Sequence, residues 1–320
     1  MIATMGEALV DLIEQPDGLF RPCLGGSVCN FTVGLARQGM TVSYLNPLSQ
    51  DHFGDRFAQL LTGAGVILGA AARSACPTSI AVVNLDAQGA PTYAFHRAFV
   101  ADRDVTSSGI GAVLPPALKL LHTGGLALVP DDLARTLAVM ANASARGAIV
   151  SLDINVRPAV VRELALYLQG VRRAITQAHI VKASNEDLDA LGIDCSDLSV
   201  LAATLFADSA LQLIVLTRGA AGAALLTRHW QVELHAPAGL AVVDTVGAGD
   251  CFHAGLIAWL QRAGQLDSPA MLERLDRASL QGALRHALAA ASINVTRVGC
   301  DPATWEETLA SQSQPVAPGF

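Results

Sequence analysis

The chain has 320 residues, 52% hydrophobic and 15% charged, which suits a compact body with a sizeable core and excludes a disordered chain. Its net charge is −7 and its only lysines are Lys119 and Lys182, which argues against a nucleic-acid surface and leaves small phosphorylated ligands to local sites. The six cysteines lack C-x-x-C spacing, the first residues lack a signal peptide's basic and apolar regions, and no apolar run is long enough for a bilayer; together these fit reduced thiols in a cytoplasmic protein without a membrane partner.

Taken in chain order, apolar residues 2–5 lead to Gly6-Glu7, and a strand continues over 8–13 with Asp11 inside it. A polar turn at 15–18 suggests a hairpin closing through Leu19 and Phe20. Gly25-Gly26-Ser27 and Asn30 precede a helix at 31–38, ended by Gly39; a strand follows at 41–45 and a helix near 57–61. Residues 78–85 and 91–95 read as two strands around the turn Asp86-Ala87-Gln88-Gly89, and with residues 11–22 they could form a small separate sheet. From residue 118 strands and helices alternate, with strands at 118–123, 148–154, 179–183, 213–217 and 223–226 and helices near 131–145, 159–177, 186–191 and 197–209. That rhythm predicts a mostly parallel sheet covered on both faces. The last helices are expected near 270–295, with a fraying tail from Ser311 to Phe320.

The most informative stretch is Asp244-Thr245-Val246-Gly247-Ala248-Gly249-Asp250. An apolar, β-branched run at 240–243 enters it and an apolar segment at 251–260 leaves it, which reads as strand, glycine turn and helix start. Amides in a first helical turn have no intrahelical partner and lie at the positive end of the helix dipole, so the turn is suited to a phosphate. A carboxylate beside such a cradle repels what the cradle attracts. Asp250 makes sense there if it accepts a proton from a hydroxyl attacking the phosphate; the plain alternative is an ordinary acid at a helix N-terminus. Gly25 and Gly26 with Asn30 suit a polyhydroxy ligand, or else a turn and cap. Asp153-Ile154-Asn155-Val156-Arg157-Pro158 emerges at a strand's C-terminal end, where open α/β sheets bind ligands, or else forms an Asx turn beside a surface arginine. Thr217-Arg218-Gly219 with Gly222 could lie against a nucleotide or merely join a strand to a hairpin.

Other phosphate chemistries are disfavoured. There is no P-loop sequence, the dinucleotide fingerprint fails at Phe252, and neither H-E-x-x-H nor G-x-S-x-G occurs. His122 and His179 lie in apolar strands and read as structural.

The 244–250 stretch, with Phe252 and Gly255, resembles the D-T-x-G-A-G-D signature of the ribokinase-like (PfkB) carbohydrate kinases, and Gly25-Gly26-x3-Asn30-x5-Ala36-Arg37-x-Gly39 resembles that family's other signature. The intermediate blocks follow the same order: Asp51-x2-Gly54, Asp153-x-Asn155-x-Arg157, Thr217-x-Gly219-x2-Gly222 and Thr296-Arg297-x-Gly299. The resemblance covers residues 1–305, with 306–320 as a C-terminal tail. It implies an α/β fold, a Rossmann-like three-layer α/β/α core with a small β-sheet lid drawn from about 11–22 and 74–102, and ATP-dependent phosphorylation of a sugar hydroxyl. By position, Asp250 falls on the catalytic base and the amides of Gly247, Ala248, Gly249 and Asp250 on the anion hole. Asp11, Gly25, Gly26 and Asn30 match sugar-contacting positions; Thr217, Gly219, Gly222 and Asn294 match the nucleotide side; Asp244 matches a position that binds a monovalent cation such as K+ in many relatives. The family's N-x-x-E, near Mg2+ and the phosphates, reads here as Ser184-Asn185-Glu186-Asp187, which leaves the metal-associated carboxylate open between Glu186 and Asp187.

For the sugar, Gly6-Glu7-x-Leu9-x-Asp11, Phe95-His96-Arg97-x3-Ala101-Asp102 and Asp153-x-Asn155-x-Arg157-Pro158 are most similar to bacterial fructokinases. Their competitor is 2-keto-3-deoxygluconate kinase, in which Arg97 and Arg157 would hold a carboxylate. Phe99 and Val100 depart from the usual lid residues. A silent sugar or nucleotide sensor is the rival from another class. Apolar lid residues Ile80, Val82 and Tyr93 suggest a homodimer formed through the lid.

Overall fold

The computed structural model describes residues 1–15, 17–70, 72–85 and 91–312. The first part of the chain supplies β1 (Ile2–Met5), β2 (Leu9–Glu14), β3 (Phe20–Gly25), α1 (Ser27–Arg37), β4 (Val42–Tyr44), α2 (His52–Gly63), β5 (Ile67–Leu68), β6 (Ser79–Leu85), β7 (Pro91–His96) and α3 (Ser107–Val113). The alternating part supplies β8 (Leu120–Gly124), α4 (Pro130–Ala145), β9 (Ile149–Asp153), α5 (Leu164–Gln177), β10 (Ile180–Ser184), α6 (Asn185–Ala190), α7 (Leu198–Phe206), β11 (Leu213–Thr217), β12 (Ala223–Leu226) and β13 (Gln231–Leu234). Four helices close the chain: α8 (Ala248–Arg262), α9 (Pro269–Leu272), α10 (Arg277–Asn294) and α11 (Trp305–Gln312).

Nine strands form one sheet in the order β13-β12-β11-β10-β9-β8-β1-β4-β5, parallel except for the antiparallel edge made by β12 and β13. Its strands are apolar on both faces because both faces are covered. Successive residues take opposite sides: Ile149, Ile180, Leu213 and Val215 join the core under α1, α8 and α10, while Val150, Val181, Ile214 and Leu216 join the core under α4, α5 and α7. This is the expected three-layer α/β/α body.

A second sheet, β3-β2-β6-β7, stands over the C-terminal ends of the parallel strands, with β2 and β6 parallel. It is the expected lid. The register Asp11↔Ala81↔Phe95 puts these three residues on one face, and Leu9, Ala81 and Phe95 on that face pack toward Leu126 of the core. The register Val83↔Tyr93 places Tyr93 on this same face, stacked on Phe95. Tyr93 is therefore on the opposite side from Ile80 and Val82, and the expected apolar patch is corrected: the outer face instead joins Leu12, Phe20, Pro22, Ile80 and Val82. The Asp86–Gly89 turn lies outside the described residues.

Three further expectations change. Residues 240–243 form no strand; the amides of Val243 and Asp244 bond the Val295 carbonyl at the end of α10, so the segment follows a helix end and not a neighbouring strand. Short β5 and the edge strand β13 carry too little pattern to be read, as does α3. The expected tail begins too early: α11 packs on α10, with Thr308 buried and its hydroxyl accepting from Gln38 Nε2 at 3.0 Å, while residues 313–320 lie outside the described residues.

Candidate active site

The site is built around the start of α8. Gly247, with φ 73°, is its N-cap, and a Cβ there would collide with Cys300 Sγ. Two close helix contacts hold α8 in place. A Cβ on Gly34 of α1 would lie 2.8 Å from Ala254 Cβ, and one on Gly255 would lie 2.9 Å from Ala290 Cβ of α10. Asn294 at the end of α10 is buried and braces the turn from behind: its Nδ2 donates to the Val246 carbonyl at 2.9 Å, and its Oδ1 accepts from the Asp301 amide at 3.0 Å. Among the described hydrogen bonds the amides of Gly247, Gly249 and Asp250 have no partner, whereas the Ala248 amide turns back to the Thr245 carbonyl at 3.2 Å. Three donors therefore remain open at the helix's positive end.

Asp250 accepts from Asn30 Nδ2 at 2.9 Å across 220 residues of sequence. Asn30 lies inside α1, which begins at Ser27, so it is a presented side chain and not a cap. Burial pushes the Asp250 carboxyl from an ordinary 3.8 to about 6, and the neighbouring Asp153 adds to this; Lys182, the Asn30 bond and Arg157 work against it. That poises a carboxylate to take a proton near neutral pH.

At the other end of the cleft, a Cβ on Gly25 would come 2.7 Å from Asp11 Oδ2, so the glycine leaves the carboxylate room. Burial raises the Asp11 carboxyl to about 6, with Arg157 opposing. Gly26, with φ 101°, caps α1 against the Glu7 carbonyl. Arg157 is exposed; its Nη1 donates to its neighbour's carbonyl, Val156 O, at 3.0 Å. Arg97 behaves otherwise. It is buried, with Nη2 on Asp102 at 2.8 Å and Nη1 on the Leu126 carbonyl at 3.2 Å, so it joins lid to core and does not present its charge in the cleft as expected from the sequence.

Of the residues expected on the nucleotide side, Thr217 ends β11 and Gly219 has φ 53° with open space around it. Gly222 packs against the Leu234 carbonyl and is a requirement of the hairpin. Asn294 is occupied as described. Ser184 and Asp187 are occupied with each other in a capping box, and Asp187 also accepts the Val156 amide at 2.6 Å; Glu186 is the exposed carboxylate of the pair. Asp244 accepts the amides of Val246 at 3.0 Å and Gly299 at 2.8 Å, tying the turn to the loop after α10. Val242, Val243, Val246 and Val298 are exposed on these two joined segments, an apolar surface that the sequence reading did not anticipate.

Residues 1–307 match the model of the pfkB family carbohydrate kinases. The chain belongs to the pfkB family. The fructokinase of Rhizobium leguminosarum bv. trifolii is 32% identical over 265 residues, which is 82% of this chain and 80% of that protein. The fructokinase of Salmonella typhimurium is 32% identical over 289 residues, 88% of this chain and 91% of that protein. The Xylella fastidiosa fructokinase solved with bound ATP is 29% identical, with a TM-score of 0.84 over 98% of this chain and 99% of that one.

This pfkB-family chain is a phosphotransferase acting on a sugar hydroxyl. It also holds a charge that the sequence reading passed over. Lys182, in the middle of the apolar strand β10, is buried with both oxygens of Asp153 at 3.0 and 2.8 Å. A lysine between Val181 and Ala183 in a core strand is the signal that could have found it. Next to it, Ser151 Oγ lies 3.1 Å from both His122 Nδ1 and His253 Nε2, and Phe31 stacks on His122 at 3.7 Å. Burial drives His122 down to about 3 and His253 well below its usual range, with Lys182 adding to both, so both are neutral core groups, as expected for His122.

Proposed function

We propose that the chain is a fructokinase, moving the γ-phosphate of ATP to the 6-hydroxyl of fructose, and that this happens in the cytoplasm. The observation that carries the chemistry is Asp250 beside three open amides, with Asn30 holding its carboxylate at 2.9 Å. The sugar lies between the lid and the strand ends, against Asp11, Gly25, Gly26, Asn30 and Arg157. Asp250 takes the proton of the attacking hydroxyl, and the amides of Gly247, Gly249 and Asp250, joined by Ala248 when it releases Thr245, receive the developing phosphate charge. ATP runs past Thr217 and Gly219, with its base against the exposed valines at 242, 243, 246 and 298.

No cluster of three or more His, Cys, Asp or Glu that could hold a metal occurs among the described residues. That donor set suits Mg2+ held mainly by phosphates and water, with Glu186 alongside. When bound, Mg2+ supplies charge neutralisation on the phosphates. We place a monovalent cation such as K+ beside Asp244, on the resemblance and because a Vibrio cholerae fructokinase variant, 27% identical, was solved with fructose, ADP and potassium ion bound. Both Asp244 oxygens already hold amides, so the cation would lean on backbone carbonyls.

The pairing of Arg97 with Asp102 removes one of the two arginines that a carboxylated sugar would use, which favours fructose over 2-keto-3-deoxygluconate. An ADP-release assay over a sugar panel tests the reading. Turnover is expected with fructose; turnover with 2-keto-3-deoxygluconate alone would overturn the assignment, and sugar binding without ADP release would indicate a sensor. Asp250→Asn is expected to bind sugar and lose at least ~10³-fold in kcat. We further propose a homodimer through the outer lid face at Leu12, Phe20, Pro22, Ile80 and Val82. No helix among the described residues is long and apolar enough to cross a membrane.

A further inference from the structure

Lys182 has no part in the mechanism above, yet it is the buried cation nearest to it. Its Nζ is clamped by both Asp153 oxygens, at 3.0 and 2.8 Å, and lies 3.2 Å from where a Cβ on Gly249 would sit. The ammonium therefore stands directly behind the anion-hole turn, and the missing side chain of Gly249 is what lets it approach so closely. In front of it, Asp250 has a second carboxylate, Asp153, as a neighbour. Two carboxylates sharing a poorly solvated site disfavour each other's ionisation, and a cation between them opposes that.

We propose that Lys182 is a positioning residue for phosphoryl transfer: its buried ammonium, held by Asp153 behind Gly249, keeps Asp250 in the carboxylate form that can accept the sugar's proton. The inference rests on the reading of Asp250 as the base.

The surroundings support an electrostatic role. Asp250 is faced by Asp153 and Lys182 from the sheet, Arg157 from the loop after β9, Glu7 from the end of β1, Cys29 and Asn30 from α1, and Cys300 from the loop after α10. Lys182 and Arg157 are the cations of that set. Lys182 in turn faces Asp153, Asp187 and Asp250, with His122 and His253 neutral beside it. Burial alone would discharge Lys182; the carboxylates, Asp153 foremost, outweigh it and hold its proton.

The test is the pH profile of kcat/KM from about pH 5 to 9, where the acid limb reports the base of the free enzyme. Lys182→Met alone strands a buried carboxylate and could unfold the chain. The decisive comparison is therefore between Asp153→Asn and Asp153→Asn/Lys182→Met, the latter removing both members of the buried Lys182–Asp153 pair together. With Asp187 and Asp250 still beside Lys182 to hold its proton, Asp153→Asn is expected to move the acid limb down, and adding Lys182→Met is expected to move it up by about one unit, a roughly tenfold loss of kcat/KM on the acid side that recovers toward the alkaline plateau. A merely structural lysine would lower the plateau and leave the limb in place. An unmoved limb in the double variant overturns the inference, provided Asp250→Asn has abolished turnover. If Asp250→Asn keeps its turnover, the base assignment falls and the role of Lys182 falls with it. A carboxyl-carbon NMR titration of Asp250, assigned by difference with Asp250→Asn, should show the same displacement without any turnover.

Discussion

Asp250 works against the fold that holds it. Its folded-state carboxyl stands near 6, above the ordinary 3.8. A group raised in this way favours folding below its unfolded value and loses that contribution as pH rises through its folded one. At pH 7.5 the ionised carboxylate is thus a burden, so Asp250→Asn should unfold at higher denaturant, by about 1–2 kcal/mol after allowance for partial solvent access, while at pH 3 the difference should vanish. The catalytic consequence has the opposite sense: kcat/KM should fall as pH drops through about 6. Asn30→Ala removes the 2.9 Å bond to Asp250 and should raise that limb and cost about tenfold or more in kcat/KM, read from initial rates across pH. At this scale the sequence was legible where function needs only neighbouring residues. Glycine spacing and an out-of-place aspartate between 247 and 250 mark the helix start whose amides are open and the carboxylate proposed as the base, without any tertiary information. The bonds of Asn294 to the Val246 carbonyl and of Asp187 to the Val156 amide were not legible, because distant segments bring those partners together, whereas the Arg97–Asp102 pair and the Ser184–Asp187 capping box join near neighbours.

Among the elements, α8 matters most, and its position depends on the absence of side chains. Gly34 against Ala254 and Gly255 against Ala290 let three helices approach so that the first turn of α8 points its amides at the strand ends. Gly255→Val should wedge α8 from α10, costing about 1–3 kcal/mol in denaturant unfolding and lowering kcat more than it raises KM for sugar. A matching Ala290→Gly change should restore part of the loss. Alternation of strand and helix made the parallel sheet readable from residue 118 onward, since buried strands and amphipathic helices have different periods. The approach to α8 was misread because β-branched residues such as Val242 and Val243 look like a strand wherever they occur, and here they are exposed in a segment that follows a helix end.

At the level of the molecule, the cleft lies between two sheets that share a chain, since β1 of the core runs into β2 of the lid through Gly6, Glu7 and Ala8. The lid's inner face carries Asp11, proposed to meet the sugar, and its outer face carries the apolar residues proposed to pair. Light scattering at working concentration should give twice the monomer mass, and Val82→Lys with Leu12→Lys should return the monomer. The bond between Asn30 and Asp250, spanning 220 residues, also has a kinetic meaning. A contact of such sequence separation closes late, because the chain entropy of a very long loop is lost before the contact rewards it. On the ribosome the half that carries Asn30 emerges first and can collapse around its own strands, but the turn that carries Asp250, the proposed base, is complete only after α10 has been made and Asn294 has fastened it. If Asp250 is the base, as proposed, the nascent protein gains its phosphoryl-transfer chemistry only at that last step.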